Sequence, residues 1–145
     1  MAMSVEEQKA IVRRAVEEGM NKGNPAVYDE ILAPSFVFHN PSYPTTHDRE
    51  GYKKLVSAVH TAYPDIHYTI DELIAAEGDR VVARYTFRGT DKGGSVALGT
   101  PPTGKRIEAS QISIIRFGGG RIVEELGLTD VFGVMQQLGV VPKRG

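Results

Sequence analysis

Glu125 and His39 are the residues of this chain that could move a proton, and the strand around Glu125 says which neighbours it would have. Successive side chains of a strand point to opposite faces. Over residues 121–129 this puts Val123, Glu125, Gly127 and Thr129 on one face and Ile122, Glu124, Leu126 and Leu128 on the other. Over residues 106–117 it groups Gln111, Ser113 and Ile115 against Ile112, Ile114 and Arg116. If Gln111 faces a cavity and orients a carbonyl there, Ser113, Glu125, Gly127 and Thr129 are its companions. A carboxyl group in such an apolar hollow has a raised pKa and can act as acid or base near neutral pH. The competing reading is a solvated glutamate at a strand edge beside Glu124, since charged side chains are mostly exposed.

Other polar residues admit two readings each. His39 follows Phe38 and precedes a proline-rich loop at an expected pocket rim. It could relay a proton there, or simply hydrogen-bond the loop backbone. Arg84, after Val81, Val82 and Ala83, could hold a substrate carboxylate or enolate oxygen. Alternatively it forms an ion pair across the sheet, with Glu124 as a partner. Tyr28, Tyr63 and Tyr68 carry hydroxyls into apolar surroundings, where they either line a pocket or find a structural partner. His47, His60 and His67 show no metal-ligand spacing, so no metal is expected. Gly118-Gly119-Gly120 lacks the lysine of a phosphate loop and reads as a hairpin turn.

The elements that must position these groups begin with a helix. Ser4-Val5-Glu6-Glu7 is a capping box, and Ile11, Val12, Ala15, Val16 and Met20 make one apolar face. A second short helix has Asn24 as cap, Pro25 at its first position, and Val27, Tyr28, Ile31 and Leu32 facing inward. Residues 36–39 read as a short strand and residues 40–46 as a loop. A third helix starts near Asp48 and is closed by Pro64. The period then becomes alternating. Strands are expected over 66–76, 80–90, weakly 96–98, 106–117 and 121–129, with a last helix over 130–138 capped by Thr129 or Asp130 and stopped by Gly139. Helices segregated from an antiparallel run of strands make an α+β domain, and one domain suits 145 residues.

Composition excludes several classes. Seventeen Lys and Arg nearly balance eighteen Asp and Glu, so a nucleic-acid surface is not expected. No apolar run approaches the roughly 18 residues that span a bilayer, and no membrane partner is expected. The acidic N-terminal stretch lacks a signal peptide's apolar segment, which points to the cytoplasm. With no Cys there is neither a disulfide framework nor a thiolate nucleophile.

One ordered set of short motifs runs along nearly the whole chain. It comprises Phe38-His39-Asn40-Pro41, Tyr63-Pro64-Asp65-Ile66, residues 78–84, Arg88-Gly89-Thr90, residues 99–104, residues 120–124, Asp130 and Gln136-Gln137-Leu138-Gly139. In these the chain resembles the SnoaL-like polyketide cyclases, within the nuclear transport factor 2-like fold. The resemblance implies a cone-shaped α+β barrel: a curved antiparallel sheet wrapped around N-terminal helices, a deep pocket between them, and a homodimer through the outer sheet face. It also implies intramolecular aldol ring closure without metal or cofactor. The family uses one acid on the last strand and a Gln-x-His pair on the strand before it. Those positions fall here on Gly127, Gln111 and Ser113, so the glutamine is kept and the acid and histidine are replaced.

Two functions follow as expectations. The first is cofactor-free acid–base chemistry on a carbonyl, ester or polyketide-like compound (cyclisation, isomerisation or hydrolysis), with Gln111 orienting and Glu125 or His39 moving the proton. The second is a non-catalytic module that binds a hydrophobic small molecule in the same pocket. Phe38, Tyr28, Tyr63, Arg84, Ser113, Gly127 and Thr129 are the expected pocket residues in either case.

Overall fold

The computed structural model describes residues 3–43, 45–95 and 99–142. The weak strand expected over 96–98 lies outside the described residues, as does Pro44 of the expected loop.

Helix α1 (Val5–Arg14) starts on the expected capping box, with the Glu7 N–H donating to Ser4 Oγ at 3.1 Å and the Ser4 N–H to Glu7 Oε1 at 3.3 Å. The helix then widens into a π-helical segment, Ala15–Asn21. Gly19 lies within that segment, and a Cβ there would overlap the Tyr28 ring of helix α2 (Ala26–Ile31). The segment ends in a clamp. The Asn21 amide accepts from the Tyr68 N–H at 2.7 Å and donates to the Tyr68 carbonyl at 2.9 Å.

The chain passes from α2 straight into strand β1 (Leu32–His39), four residues before the expected start. Its register shifts between Leu32 and Val37, around Pro34, which has no N–H to give a ladder. A two-residue strand β2 (His47–Asp48) follows, then α3 (Arg49–Ala62), capped by Asp48. Strands β3 (His67–Ala76), β4 (Arg80–Thr90), β5 (Arg106–Gly118) and β6 (Arg121–Thr129) follow the expected boundaries to within a residue. The last two join through Gly119 and Gly120, both at positive φ as a tight hairpin requires. Helix α4 (Val131–Leu138) is capped by Asp130, whose carboxylate accepts from the Gly133 N–H at 2.9 Å, and not by Thr129.

The sheet order is β2-β1-β6-β5-β4-β3. It is curved and unclosed, and the fold is mixed α+β. One pairing departs from the antiparallel expectation: β1 runs parallel to β6. The concave face packs on the helices through Val12, Val16, Val27, Tyr28, Phe36 and Val56. No described helix is long and apolar enough to cross a membrane.

A bulge modifies the alternation of β6. Arg116 pairs with Glu124 but Phe117 pairs with Ile122, so Val123 is the extra residue. Ile122 therefore turns inward, at 2% exposure, on the same face as Glu125. The alternation reading had put Ile122 outside and Val123 inside. A single bulged residue inverts the parity of everything before it.

Candidate active site

Three cross-strand rows on the concave face build the site. One row is Tyr85, Gln111 and Thr129; the next is Ala83, Ser113 and Gly127; the third is Val81, Ile115, Glu125 and Phe38. The middle row holds only small side chains between two rows of larger ones. A hollow opens beside these rows, lined by residues of the two outer ones. A Cβ at Gly127 would already stand 3.3 Å from Ser113 Oγ and 3.4 Å from both Gln111 Nε2 and Phe38 Cε1, so any longer side chain there would fill the space.

The hollow measures about 60 Å³. Gln111, Glu125, Thr129, Asn40, Phe38 and Tyr28 line it with Tyr43, Tyr52, Tyr68 and Tyr85. Glu125 is buried, and desolvation pushes its carboxyl up to about 7, although the hydrogen bond from Ser113 acts in the opposite direction. The four tyrosines 28, 52, 68 and 85 stand close enough to feel that carboxylate. Burial first, and the charge of Glu125 second or third, raises each phenol above its ordinary value. They remain neutral hydroxyls.

A hydrogen-bond chain runs across the floor in one direction. Asn40 Nδ2 donates to Thr129 Oγ1 at 3.0 Å, and Thr129 Oγ1 donates to Gln111 Oε1 at 3.3 Å. The Tyr68 hydroxyl donates to the same Gln111 oxygen at 3.5 Å. Gln111 Nε2 donates to Ser113 Oγ at 3.1 Å, and Ser113 Oγ donates to Glu125 Oε2 at 2.9 Å. Every donor points towards the acid. Oε2 is thereby held as an acceptor, so a proton on this carboxyl group sits on Oε1. Gln111 keeps a second N–H that this chain does not use.

Gln111, Ser113, Glu125, Gly127, Thr129, Phe38 and Tyr28 thus meet in one place. Tyr63 stands apart, in a second hollow of about 300 Å³ that adjoins the first. Tyr43, Leu55, Val59, Tyr68 and Thr129 line both. His39 and Arg84 do not join the site. Phe38 faces inward, so alternation turns His39 to the convex face, where its Nε2 lies 3.5 Å from Glu124. Arg84 alternates outward between Ala83 and Tyr85 and pairs with Asp71 at 3.6 Å and Glu72 at 3.5 Å. Its suggested partner Glu124 is taken by Arg116 at 3.4 Å.

Asn40, Tyr43, Tyr52 and Tyr85 were not anticipated as site residues. Signals existed for two of them. Asn40 shares parity with Phe38, and Tyr85 follows the inward Val81 and Ala83 at spacing two. Among the described residues no three His, Asp or Glu side chains gather as metal ligands.

A search of curated proteins finds no significant match. Solved structures do match. TsrD from Streptomyces laurentii superposes with a TM-score of 0.84 at 26% identity, over 97% of this chain and 100% of that one. A candidate polyketide cyclase from Acidithiobacillus ferrooxidans gives 0.79 at 32% identity, over 95% and 99%. AclR from Streptomyces galilaeus, described as a candidate hydroxylase, gives 0.84 at 25% identity, over 98% and 87%. A family model described as SnoaL-like polyketide cyclase matches residues 10–138. With that match spanning most of the sequence, the chain belongs to the SnoaL-like polyketide cyclase family.

Proposed function

We propose that this protein catalyses enolisation and ring closure of a neutral carbonyl compound, with Glu125 as the acid–base group. The observation that carries this reading is a buried carboxyl group at the floor of a hollow, pushed up to about 7, where both protonation states are populated near neutral pH. The resemblance puts the family acid's position at Gly127, and Glu125 stands one pleat before that residue on the same face.

The steps balance without any added reagent. Glu125 Oε1 takes a proton from the carbon next to a carbonyl. The C–H electron pair becomes the enolate double bond, and the carbonyl oxygen takes the charge. The free N–H of Gln111 donates to that oxygen. The enolate carbon then attacks a second carbonyl of the same molecule, a C–C bond forms, and the proton held on Glu125 passes to the new alkoxide. Ser113 keeps the carboxylate oriented, and the tyrosine-lined walls exclude water.

A non-catalytic binding module is the second reading, favoured by Gly127 and Ser113 standing where the family has its acid and histidine. Hydrogen–deuterium exchange at the methyl ketone carbon of benzylacetone, followed by NMR, separates the two. The enzyme reading expects exchange that Glu125→Gln slows about 10²–10⁴-fold, the usual worth of a positioned general base. Binding without exchange by the unaltered protein would establish the module instead.

The convex sheet face supports a homodimer as the working form. Ile112 pairs with Leu128, and Ile114 with Leu126, as cross-strand neighbours. All four are exposed, between 41% and 62%. Adjacent exposed side chains of this kind mark an association surface.

A further inference from the structure

One backbone N–H gives the hydrogen-bond chain that ends on Glu125 its direction. Asn40-Pro41-Ser42 forms an Asx turn, in which the Ser42 N–H donates to Asn40 Oδ1 at 3.0 Å. Pro41 suits the middle of such a turn, since its ring presets φ and it has no N–H to place. The Tyr43 N–H donates to the Asn40 carbonyl at 2.9 Å and tightens the turn further. A backbone N–H is a donor only. The Asn40 side-chain atom that meets it is therefore the carbonyl oxygen, and the amide nitrogen faces the other way, towards Thr129.

The remaining links follow in order. Thr129 Oγ1 accepts from Asn40, so its single proton is free for Gln111. Gln111 meets that proton with Oε1, which leaves Nε2 towards Ser113 Oγ. Ser113 accepts there and gives its own proton to Glu125. The carboxylate at the far end is an acceptor, so both ends of the chain require the same order. A Gln111 amide turned end for end would fill the same space, so donors and acceptors choose between the two orientations and packing does not. Asn40 and Ser113 are both buried, where an unmatched donor or acceptor is costly, and a reversed order is penalised accordingly.

We propose that Asn40 is a positioning residue: held by the Ser42 N–H, it acts through Thr129 to fix which end of the Gln111 amide faces Ser113, and so where the second N–H of Gln111 points. The catalytic part of this proposal rests on the enolisation reading, in which that N–H meets the enolate oxygen. The orientation of the amide can be measured without turnover.

The test uses Asn40→Asp in the full chain. This variant keeps the shape and the acceptor for the Ser42 N–H but, once ionised, has no donor for Thr129. The Thr129 proton is then drawn to the introduced carboxylate, and Gln111 Oε1 is left facing a bare oxygen. The Gln111 side-chain NH2 pair, read by 1H–15N NMR with 15N-glutamine labelling, should shift or double. Exchange at the methyl ketone carbon of benzylacetone should fall at least about tenfold in kcat with KM little changed, as for a donor lost from the transition state. Thr129→Val cuts the chain between Asn40 and Gln111 at nearly constant shape. Alone it should also move the Gln111 pair, and in its background Asn40→Asp should move the pair no further. A residue that merely holds the loop would give additive effects in that cycle. An unmoved Gln111 pair in Asn40→Asp, additive effects in the cycle, or exchange by Asn40→Asp as fast as that of an exchanging unaltered protein overturns the proposal. Should Asn40→Asp not fold, Thr129→Val decides alone, and an unmoved Gln111 pair there overturns it. A pair that moves as expected, with no exchange even by the unaltered protein, keeps the orienting role of Asn40 and overturns the enolisation reading alone.

Discussion

The middle of the β5–β6 pair sets polar groups on its inner face and apolar groups on its outer one, although Ile115, Phe117 and Ile122 also face inward. Inward, against the helices, stand Gln111, Ser113, Glu125 and Thr129; outward, towards solvent, stand Ile112, Ile114, Leu126 and Leu128. A folding rule that hides apolar groups and wets polar ones is broken twice in the same eighteen or so residues. Each breach has its own local answer. The inner polar groups satisfy one another in the chain that ends on Glu125 Oε2. The outer apolar groups form one patch, which a second copy would cover. The adjacent glutamates make the contrast sharpest. Glu124 has Arg116 and His39 beside it at the half-exposed surface, while among the described residues Glu125 has only a serine hydroxyl as hydrogen-bond partner. A carboxyl group that lacks a cation in a buried place is held there at a cost, and that cost is what brings its proton affinity into the physiological range.

The largest expected effect comes from the outer face. Replacing Leu128 by lysine should split the proposed dimer, at roughly 3–5 kcal/mol for two apolar side chains lost from a symmetric contact. Sedimentation equilibrium would record a monomer, and a wild-type chain that is itself monomeric would break the comparison on this side.

Next comes the cost of the inner acid. Glu125 titrates near 4.5 in the unfolded chain and near 7 in the fold. Between those values the folded chain keeps a proton that the unfolded chain has released, so stability falls as pH rises through this window. The loss is complete above the folded value, at about 3 kcal/mol for a shift of this size. Glu125→Gln should therefore raise stability at pH 8 relative to its effect at pH 4, measured by urea unfolding at both. An equal effect at the two pH values would mean that the carboxyl group is not desolvated.

The smallest effect sharpens the picture of the chain itself. Ser113→Ala removes the hydrogen bond that lowers the Glu125 value, so the acid should titrate higher still. The carboxyl 13C shift followed against pH would show it, and an unchanged midpoint would remove Ser113 from its positioning role.

Much of this site was legible in the order of residues. Alternation alone grouped Gln111, Ser113, Glu125, Gly127 and Thr129, because β5 and the second half of β6 pair without interruption. The same rule failed at Ile122, on the far side of the bulge at Val123, since a bulge has no signature in residue type there. It also left His39 undecided, although the expected strand over 36–39 already held it and parity with Phe38 turns it outward. The tyrosine lining was the least visible part. Tyr52 belongs to α3 and Tyr43 to a loop, and only the packing of helices on the sheet brings them to the carboxylate. The π-helical turn was likewise unforeseen. The apolar spacing of residues 11–20 suits an ordinary helix, and the wider turn goes with the Tyr28 ring resting on Gly19.

The Asn21 clamp on Tyr68 has a bearing on solubility. Strand β3 is the last of its sheet, and its outer margin is where another extended chain could attach. With one carboxamide occupying both backbone groups of Tyr68, that margin is interrupted by a side chain imitating a neighbouring strand. At the opposite margin β2 is only two residues long. An unwanted ribbon thus has little to start from at either end, and the protein can leave the broad convex surface greasy without inviting fibres along its borders.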